Sequence, residues 1–334
     1  MVFNGMTPFP FSVNFLITKN CNFNCEICSW KGCEDTDNNS SEDELRTDEI
    51  KRFIRELKVH KPLLHLGGGE PFMRKDIGEI LVSIKDNGLR CIVTTNGFLL
   101  NEHLIDMLIN LEVDGIIFSL YGWGERHDDM TGTKGSFEKT IDNLKLVLDK
   151  RRYYPRVYVS TVPIDYAEGE IHKLTGNLKA LGIDGLKVEQ LNYLSQEEYG
   201  KSLTARGPFD LRPRTLIKKG HMTIEESRRM MSMLRALSRT YDKFVFIKPD
   251  LSDNQLIDWY AGVPKRKRNC LFIAHSLFIN YNGDIIPCQF FPQCRLGNIR
   301  KDQLRAVWNS GRYRELRKTI NSISPLACAR CCKN

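Results

Sequence analysis

The sequence contains no long hydrophobic run and no recognisable leader. No apolar stretch approaches the roughly 18 residues of a membrane-spanning helix, and the first twenty residues lack a positive start and an A-x-A-like cleavage site. We therefore expect a cytoplasmic protein with no membrane partner. Internal repeats and low-complexity tracts are also absent. With 41% hydrophobic and 27% charged residues among 334, the composition indicates a globular chain with room for a large domain and a smaller one.

Cysteine is almost missing from the middle of the chain. Of the 11 cysteines, only Cys91 lies between an N-terminal group and a C-terminal group. The N-terminal group contains Cys21, Cys25, Cys28 and Cys33, and the C-terminal group contains Cys270, Cys288, Cys294, Cys328, Cys331 and Cys332. In a reducing cytosol, cysteines serve as metal ligands or catalytic thiolates more often than as disulfides. The distribution therefore predicts two separate sites.

Acidic residues are fewer than basic ones, so the formal net charge is +8. The basic excess is concentrated in KRKR at 265–268 and in the segment that begins at Arg300, but no RNA-binding module accompanies either run. A solvated basic face explains such runs more simply than a binding surface does. We expect no nucleic-acid partner.

Short runs rich in valine and isoleucine alternate with amphipathic segments of helical length over about residues 11–193. The predicted strands are 12–17, 63–66, 90–95, 115–120, 156–162 and 185–191, and the predicted helices are 47–59, 75–87, 102–110, 136–150 and 169–181. This alternation is typical of α/β proteins with parallel strands, either an open doubly wound sheet or a barrel. In both architectures functional residues gather at the carboxyl ends of the strands, which is where CNFNCEIC, GGGEP and TNG lie.

The pattern changes after residue 193. The polar segment 194–214 contains proline and glycine and is a candidate lid over the site. The sequence MTIEESRRMMSMLRAL predicts a helix that is capped by Thr223, with Glu226 three residues further on. Further along, SLFINYNGDIIPC predicts a hairpin that turns at Asn282 and Gly283, and a helix follows at about 303–309.

The motif CNFNCEIC places Cys21, Cys25 and Cys28 within eight residues. Three thiolates can hold three irons of a 4Fe-4S cluster and leave the fourth without a protein ligand, whereas a structural zinc takes four ligands and would need a partner such as Cys33. The second motif, GGGEP, has glycines that allow close approach to the backbone, and Glu70 offers an acceptor for an ammonium group. Alone, GGGEP also fits a tight turn before the helix near Lys75. The two motifs together favour the iron-sulfur interpretation.

The chain resembles the radical S-adenosylmethionine (SAM) enzyme superfamily over about residues 11–193. The resemblance lies in CNFNCEIC followed by GGGEP, and then by VTTNGFLL and IIFSLYG on later strands. The resemblance implies a partial (β/α)6 TIM-like barrel. It implies that Cys21, Cys25 and Cys28 ligate a 4Fe-4S cluster whose open iron is chelated by SAM. The residues that it places around SAM are Gly68, Gly69 and Glu70 at the methionine ammonium, Ile27 at the adenine, and Asn96 and Ser119 at the ribose or methionine portion.

The same resemblance implies a reaction. An external donor such as flavodoxin or ferredoxin supplies an electron, SAM is cleaved to a 5'-deoxyadenosyl radical, and this radical removes a hydrogen atom from the substrate. The chain departs from many relatives at Tyr121, where they have aspartate, and at Thr131, where they have an arginine that steadies the SAM carboxylate. The carboxylate clamp is therefore left unassigned. His127 fits either a structural turn or a catalytic role.

The C-terminal cysteines and the phrase LGNIRKDQLRAVWNS resemble the SPASM/twitch extension of these enzymes. The shorter twitch form carries one auxiliary 4Fe-4S cluster, and its implied ligands are Cys270, Cys288, Cys328 and Cys331. Four thiolates also fit structural zinc. Extended hairpin pairing would bring Cys270 opposite Cys294, which leaves Cys294 as an alternative ligand. Otherwise Cys294 and Cys332 are passive thiols or hydrogen donors.

These features predict three regions: a radical SAM core at 1–193, a linker with the candidate lid and a helix at 194–262, and a twitch/SPASM-like hairpin-and-helix subdomain at 263–334. The predicted function is SAM-dependent hydrogen abstraction from a ribosomal peptide or a biosynthetic small molecule, giving oxidation, bond formation or epimerisation. One alternative is an aminocyclitol or carbohydrate dehydrogenase of the twitch type. The alternative from a different class is a non-catalytic, zinc-stabilised binding protein.

Overall fold

The computed structural model describes residues 5–29, 44–164, 169–204, 207–262 and 269–331. Three features of the sequence analysis lie outside these ranges: the candidate zinc ligand Cys33, the C-terminal Cys332, and the basic run 265–268. The roles predicted for these residues therefore stay predictions.

The described strands form one large sheet and one small one. The strands are β1 Ser12–Thr18, β2 Leu63–Gly68, β3 Cys91–Thr95, β4 Gly115–Ser119, β5 Arg156–Thr161, β6 Gly185–Glu189, β7 Tyr193–Ser195, β8 Leu216–Lys218, β9 Val245–Lys248, β10 Ser276–Ile279, β11 Asp284–Ile286 and β12 Gly297–Asn298. The large sheet has ten strands in the order β12-β11-β10-β1-β2-β3-β4-β5-β6-β9, and the small sheet pairs β7 with β8. From β10 to β9 every neighbouring pair is parallel. The β10–β11 and β11–β12 pairs are antiparallel.

The helices include the crossover connections that parallel strands require. They are α1 Thr47–Leu57, α2 Ile77–Asp86, α3 Glu102–Asn110, α4 Glu125–Thr131, α5 Ser136–Lys150, α6 Glu170–Leu181, α7 Gln196–Leu203, α8 Ile224–Thr240, α9 Asp253–Ala261, α10 Phe272–His275, α11 Leu304–Trp308 and α12 Gly311–Ile323. Within the described ranges, none of these helices is both long and apolar enough to cross a membrane.

Alternate residues of β1 show why this chain forms a sheet with one packed face. In β1, Val13, Phe15 and Ile17 are at most 1% exposed, whereas Asn14 and Leu16 between them are half-buried. The fully buried set packs into the hydrophobic core with residues of the helices. The other set lies on the opposite face of the sheet, called the inner face below.

The predicted α/β class is confirmed, and the large sheet does not close on itself within the described residues, as expected for a partial barrel. The structure adds β9, which lies beside β6, although the sequence pattern indicated only a loose segment there. The C-terminal hairpin also joins the main sheet, because β10 pairs with β1 in parallel. Its measured register, Phe278 opposite Ile286, agrees with the turn predicted at Asn282 and Gly283.

Candidate active site and second cysteine group

A cavity of about 510 Å³ opens at the carboxyl ends of the parallel strands. Nine residues that the sequence predicted as cluster ligands or SAM contacts line it together: Cys21, Cys25, Ile27, Cys28, Gly68, Gly69, Glu70, Asn96 and Ser119. They come from the loop after β1 and from the ends of β2, β3 and β4. Because parallel strands present their carboxyl ends at one edge, segments distant in sequence meet at this cavity.

The loop that carries the three cysteines is anchored from two sides. On one side the backbone N–H groups of Asn24 and Glu26 each donate to carbonyl groups at the end of α4, both at 3.0 Å. On the other side the Asn96 side chain, just after β3, donates to the side-chain oxygen of Asn22 at 2.8 Å. Within the loop, the Cys28 N–H donates to the Cys25 carbonyl at 3.2 Å. These contacts hold the thiols in place through backbone and amide groups.

The Cys21 thiol lies close enough to Cys28 and Glu70 for their charges to affect its pKa. Loss of solvation is the main cause that raises the pKa of the Cys21 thiol, and the nearby Glu70 and Cys28 act in the same direction. The Phe23 N–H donates to the Cys21 sulfur at 3.4 Å, which opposes this shift. In the absence of a cation, the Cys21 thiol therefore holds its proton more strongly than free cysteine does, whereas a bound metal would favour the thiolate.

Two of the three glycines of GGGEP are required because the chain at the end of β1 lies against the end of β2. Gly68 has a φ of 128°, and a Cβ on it would lie 2.2 Å from the Thr18 carbonyl oxygen. A Cβ on Gly69 would lie 2.0 Å from the Asn20 carbonyl oxygen. The sequence analysis attributed these glycines to close approach of a ligand. The structure supplies a second cause, since the segment after β1 lies directly against them.

Glu70 is 1% exposed, and its carboxylate joins its own turn to the end of β3. One oxygen accepts from the Thr95 hydroxyl at 2.7 Å and from the Phe72 N–H at 3.2 Å, and the other accepts from the Asn96 N–H at 2.7 Å. Burial raises the pKa of Glu70 to about 6 in spite of these donors. GGGEP thus also forms the tight turn that was its alternative interpretation, since Glu70 caps the 3-10 turn Pro71–Met73.

The residues after β4 include Tyr121 and Thr131, the two positions at which the chain departs from many relatives, and they form a buried structural network. Thr131 is fully buried, and its hydroxyl is 2.8 Å from the Ser136 hydroxyl, so it does not reach the cavity lining. The His127 Nδ1 accepts from the Tyr121 N–H at 3.1 Å, and burial lowers the pKa of His127 to about 4. Its neutral, buried ring fits the structural role. Tyr121 itself lines the cavity.

The second cysteine group gathers near the same cavity. Burial raises the pKa of the Cys288 thiol well above its usual value, and Cys331, Cys328 and Cys270 all contribute to this shift. The four predicted auxiliary ligands therefore lie together. Gln289, the next residue after Cys288, lines the cavity of the first group. Sequence reasoning missed this residue, although its position beside a predicted ligand was a usable signal.

Cys294 shares a neighbour with this group, because Cys288, Cys270 and Cys294 all contribute to the raised pKa of Tyr313, whose main cause is burial. Cys294 is 2% exposed, and the charged groups that affect its pKa are Arg312 and Asp210. The extended pairing of Cys270 with Cys294 does not form, because β10 begins at Ser276 after a short helix. Within the described ranges, no three His, Cys, Asp or Glu side chains are gathered tightly enough to hold a single metal ion.

The candidate lid, 194–214, has regular structure that the sequence did not indicate. It contains the end of β7 and all of α7, and α7 is tied to the C-terminal cysteines because Arg330 donates to both carboxylate oxygens of Glu198 at 3.0 and 2.9 Å. Among the described residues, the cavity lining includes none from this segment. Arg330 was also missed, and its place between Cys328 and Cys331 was the only signal.

Two family models match the chain in separate regions. The model of the radical SAM superfamily matches residues 15–174. The SPASM model, described as an iron-sulfur cluster-binding domain, matches residues 270–332. The first match includes the strands that form the cavity, and the second includes all six cysteines of the C-terminal group.

Curated relatives match most of the chain. The AdoMet-dependent heme synthase of Methanosarcina barkeri is 29% identical over 317 residues, which are 94% of this chain and 86% of that protein. The antilisterial bacteriocin subtilosin biosynthesis protein AlbA of Bacillus subtilis is 26% identical over 311 residues, 91% of this chain and 60% of that protein. The two relatives differ in what their names say they make.

A solved structure has the same fold. The crystal structure of Streptococcus suis SuiB bound to S-adenosylmethionine has a TM-score of 0.65 and 17% identity, and the match covers 96% of this chain and 72% of SuiB. The native anSMEcpe structure with bound AdoMet has a TM-score of 0.66 and 15% identity, covering 94% of this chain and 85% of that one. At these identities the comparison concerns the fold alone.

Proposed function

Because the chain belongs to the radical SAM superfamily and carries a C-terminal SPASM domain, we propose that it removes a hydrogen atom from an organic substrate at the mouth of the partial barrel. Its cofactors are iron-sulfur clusters and SAM. The observation that carries the proposal is the single cavity lined by the three thiols of CNFNCEIC, the GGGEP turn and the ends of β3 and β4. This membership replaces the alternative of a non-catalytic zinc protein.

The residues present fit a cluster with one open iron. Cys21, Cys25 and Cys28 offer three soft thiolate donors from one anchored loop, which is the ligand type that iron-sulfur clusters take. When bound at these thiols, a reduced cluster would supply the electron that cleaves SAM. The task of this chain's own residues is to hold the loop in place, to position SAM against it and to exclude water.

We assign SAM contacts to the residues that share the cavity with the thiols. The Glu70 carboxylate already accepts three internal donors, so we assign the methionine ammonium to it jointly with Gly68 and Gly69. Ile27, between two of the cysteines, offers an apolar surface for adenine. Asn96 and Ser119 offer polar groups to the ribose or methionine portion.

The second cysteine group fits an auxiliary cluster ligated by Cys270, Cys288, Cys328 and Cys331. Four thiolates would leave no open iron, which suits electron transfer and not substrate binding. The adjacent residues Cys288 and Gln289 support this role, because Cys288 interacts with the other thiols and Gln289 lines the cavity. An electron from an oxidised substrate would therefore have a short path to this cluster.

Two substrate classes follow from the relatives. The heme synthase match, which extends over 86% of that relative, supports a tetrapyrrole, a biosynthetic small molecule. AlbA, matched over 60% of its length, and the peptide-bound SuiB structure support a peptide. We place the tetrapyrrole first because the chain spans more of the relative concerned.

The reaction class is tested by SAM cleavage. Protein reconstituted without oxygen should contain about eight irons per chain if both groups hold 4Fe-4S clusters, and reduction with SAM present should release 5'-deoxyadenosine. Cys25→Ala should abolish this release. Cys91→Ala is the matched control, because Cys91 is a fully buried thiol on the helix-packed face of β3. Release by the Cys25 variant at the rate of the control would exclude the first cluster from the reaction.

The substrate is tested by product analysis. Fe-coproporphyrin III, which appears in the name of another curated relative, and short peptides encoded beside the gene are incubated with reduced enzyme and SAM, and mass changes are followed by mass spectrometry. Turnover of the tetrapyrrole coupled to 5'-deoxyadenosine release supports the first class. Turnover of the peptide alone rejects it in favour of the second.

A further inference from the structure

An ion pair lies on the inner face of β6. Leu186 and Val188 are fully buried on the helix-packed face, so Lys187 and Glu189 alternate onto the inner face. Their side chains form a salt bridge while remaining 33% and 24% exposed. No role in the sites described above uses this pair.

The strand register places this pair beside the cavity. Ser119, which lines the cavity, is opposite Ser160, and Ser160 is opposite Lys187. Neighbouring strands are about 4.8 Å apart, so the Lys187 backbone lies about 10 Å from Ser119, within reach of an extended lysine side chain. The two intervening positions on this face are serines, which have small side chains, although Ser160 and Lys187 do not themselves line the cavity.

Glu189 also lies near the cavity lining. Its charge contributes to the raised pKa of Tyr121, and so do the charges of Cys25 and Cys28. Tyr121 lines the cavity and therefore stands between the cysteine loop and the β6 ion pair. A substrate that enters beside the thiols would meet Lys187 and Glu189 on its far side.

Two further lysines lie around this space. Lys248 on β9 is the register partner of Glu189, so its exposed side chain lies on the same inner face. Lys19, after β1, lines the cavity from the other side. The carboxylate of Glu189 is paired with Lys187, and that of Glu70 is enclosed by its three donors. An anionic group is the complement to this arrangement.

A half-buried ion pair contributes little to the stability of a sheet, and apolar side chains would fill the inner face at lower cost. We propose that Lys187, together with Lys248, binds a carboxylate group of the substrate, and that Glu189 positions the Lys187 ammonium towards the cavity. This inference rests on the proposed function and names the chemical class of its substrate. A tetrapyrrole with carboxylate side chains and an acidic peptide both carry this group.

Binding to the cluster-loaded protein tests the inference without turnover. The probes are a tetracarboxylate porphyrin, a tetracationic porphyrin of similar size, an Asp/Glu-rich peptide, and its Asn/Gln counterpart. Lys187→Gln should weaken binding of a carboxylate probe about 10- to 100-fold, as expected when a charge-assisted hydrogen bond is lost, and Lys187→Arg should restore most of it. Lys145→Gln, a half-exposed lysine paired with Asp142 on α5, is the control.

Every binding result either supports or rejects the inference. Weaker binding of the porphyrin carboxylate or of the acidic peptide in Lys187→Gln supports the inference and identifies the source of the carboxylate. If neither carboxylate probe binds, if the cationic porphyrin binds as well, or if Lys187→Gln equals Lys145→Gln, the inference is rejected. Should Lys187→Gln fail to fold, Lys248→Gln at an exposed position provides the same comparison. The proposed function is judged separately, by SAM cleavage in the unmodified protein.

Discussion

Replacing Glu198 by alanine should loosen the connection between α7 and the C-terminal cysteine group. The Glu198 and Arg330 side chains are 7% and 1% exposed and interact at 2.9 Å. Arg330 lies between Cys328 and Cys331, and its Nε also donates to the Trp259 carbonyl at 2.6 Å. The variant therefore leaves a buried guanidinium without its counter-charge, although carbonyl partners remain.

The expected cost can be estimated from two interactions. Removing one partner of a buried ion pair costs about 3–5 kcal/mol. Glu198 also closes a capping box at the start of α7, where it accepts from the Ser195 N–H at 2.8 Å, and loss of a cap costs about 1 kcal/mol. Because the carbonyl partners of Arg330 persist, we expect a total near the lower limit, about 4 kcal/mol.

Hydrogen exchange of the intact, cluster-loaded protein measures this locally. A loss of about 4 kcal/mol corresponds to exchange roughly 1,000-fold faster in peptides from α7 if their amides exchange by local opening. Glu197→Ala is the matched control, since Glu197 occupies the same helical turn but its side chain is 77% exposed. Glu198→Gln keeps the size and an acceptor but not the charge, and should fall between the two.

The same variant should release iron from the second group more quickly when a chelator is added, because the segment between two proposed ligands has lost its anchor. Absorbance at the visible cluster bands follows this release. Equal exchange rates and equal iron loss in Glu198→Ala and Glu197→Ala would refute the reasoning that the buried ion pair holds these two parts together.

Two further predictions concern the first site. Gly69→Ala should prevent correct folding, because its Cβ would lie 2.0 Å from the Asn20 carbonyl oxygen, whereas a Cβ on Gly67 would meet nothing within 4 Å. Thermal melts compare Gly69→Ala with Gly67→Ala, and equal melting temperatures would contradict the argument that the Asn20 carbonyl leaves no room for a side chain at Gly69. The pKa of His127 is 6.5 in the unfolded chain and about 4 in the folded protein, so folding disfavours its protonation. The free energy of unfolding should therefore be highest above pH 6.5 and should fall by up to about 3 kcal/mol as the pH drops towards 4. His127→Asn, which retains an acceptor for the Tyr121 N–H, should flatten the difference between urea unfolding at pH 7 and at pH 5, and an unchanged difference would exclude His127 as its source.

Local signals in the sequence were sufficient for most elements of the core. The helices Glu102–Asn110 and Ser136–Lys150 have the predicted bounds, and the predicted Thr223–Glu226 capping box forms at the start of α8. These features depend on periodicity and on contacts three or four residues apart, which any reader of the sequence can see. The cysteine spacing likewise indicated two separate groups.

Contacts between distant segments had no such signal. VFIK, the β9 strand, is too short and too exposed to indicate that it pairs with β6. Arg330 reads as a surface residue until the fold buries it against Glu198, 132 residues earlier. The inner-face position of Lys187 beside Ser160 likewise depends on strand register.

The glycines of GGGEP illustrate the division between sequence and structure. The sequence by itself determined that a glycine-rich turn follows a strand and precedes Glu70, and that three thiols lie on the preceding loop. Only the tertiary structure decided that the Gly69 Cα lies against the Asn20 carbonyl, that Glu70 is enclosed by donors from β3, and that the cavity extends to Gln289. The physical reason is that backbone conformation follows from neighbouring residues, whereas burial and pairing are decided by segments that meet only when the whole sheet has formed.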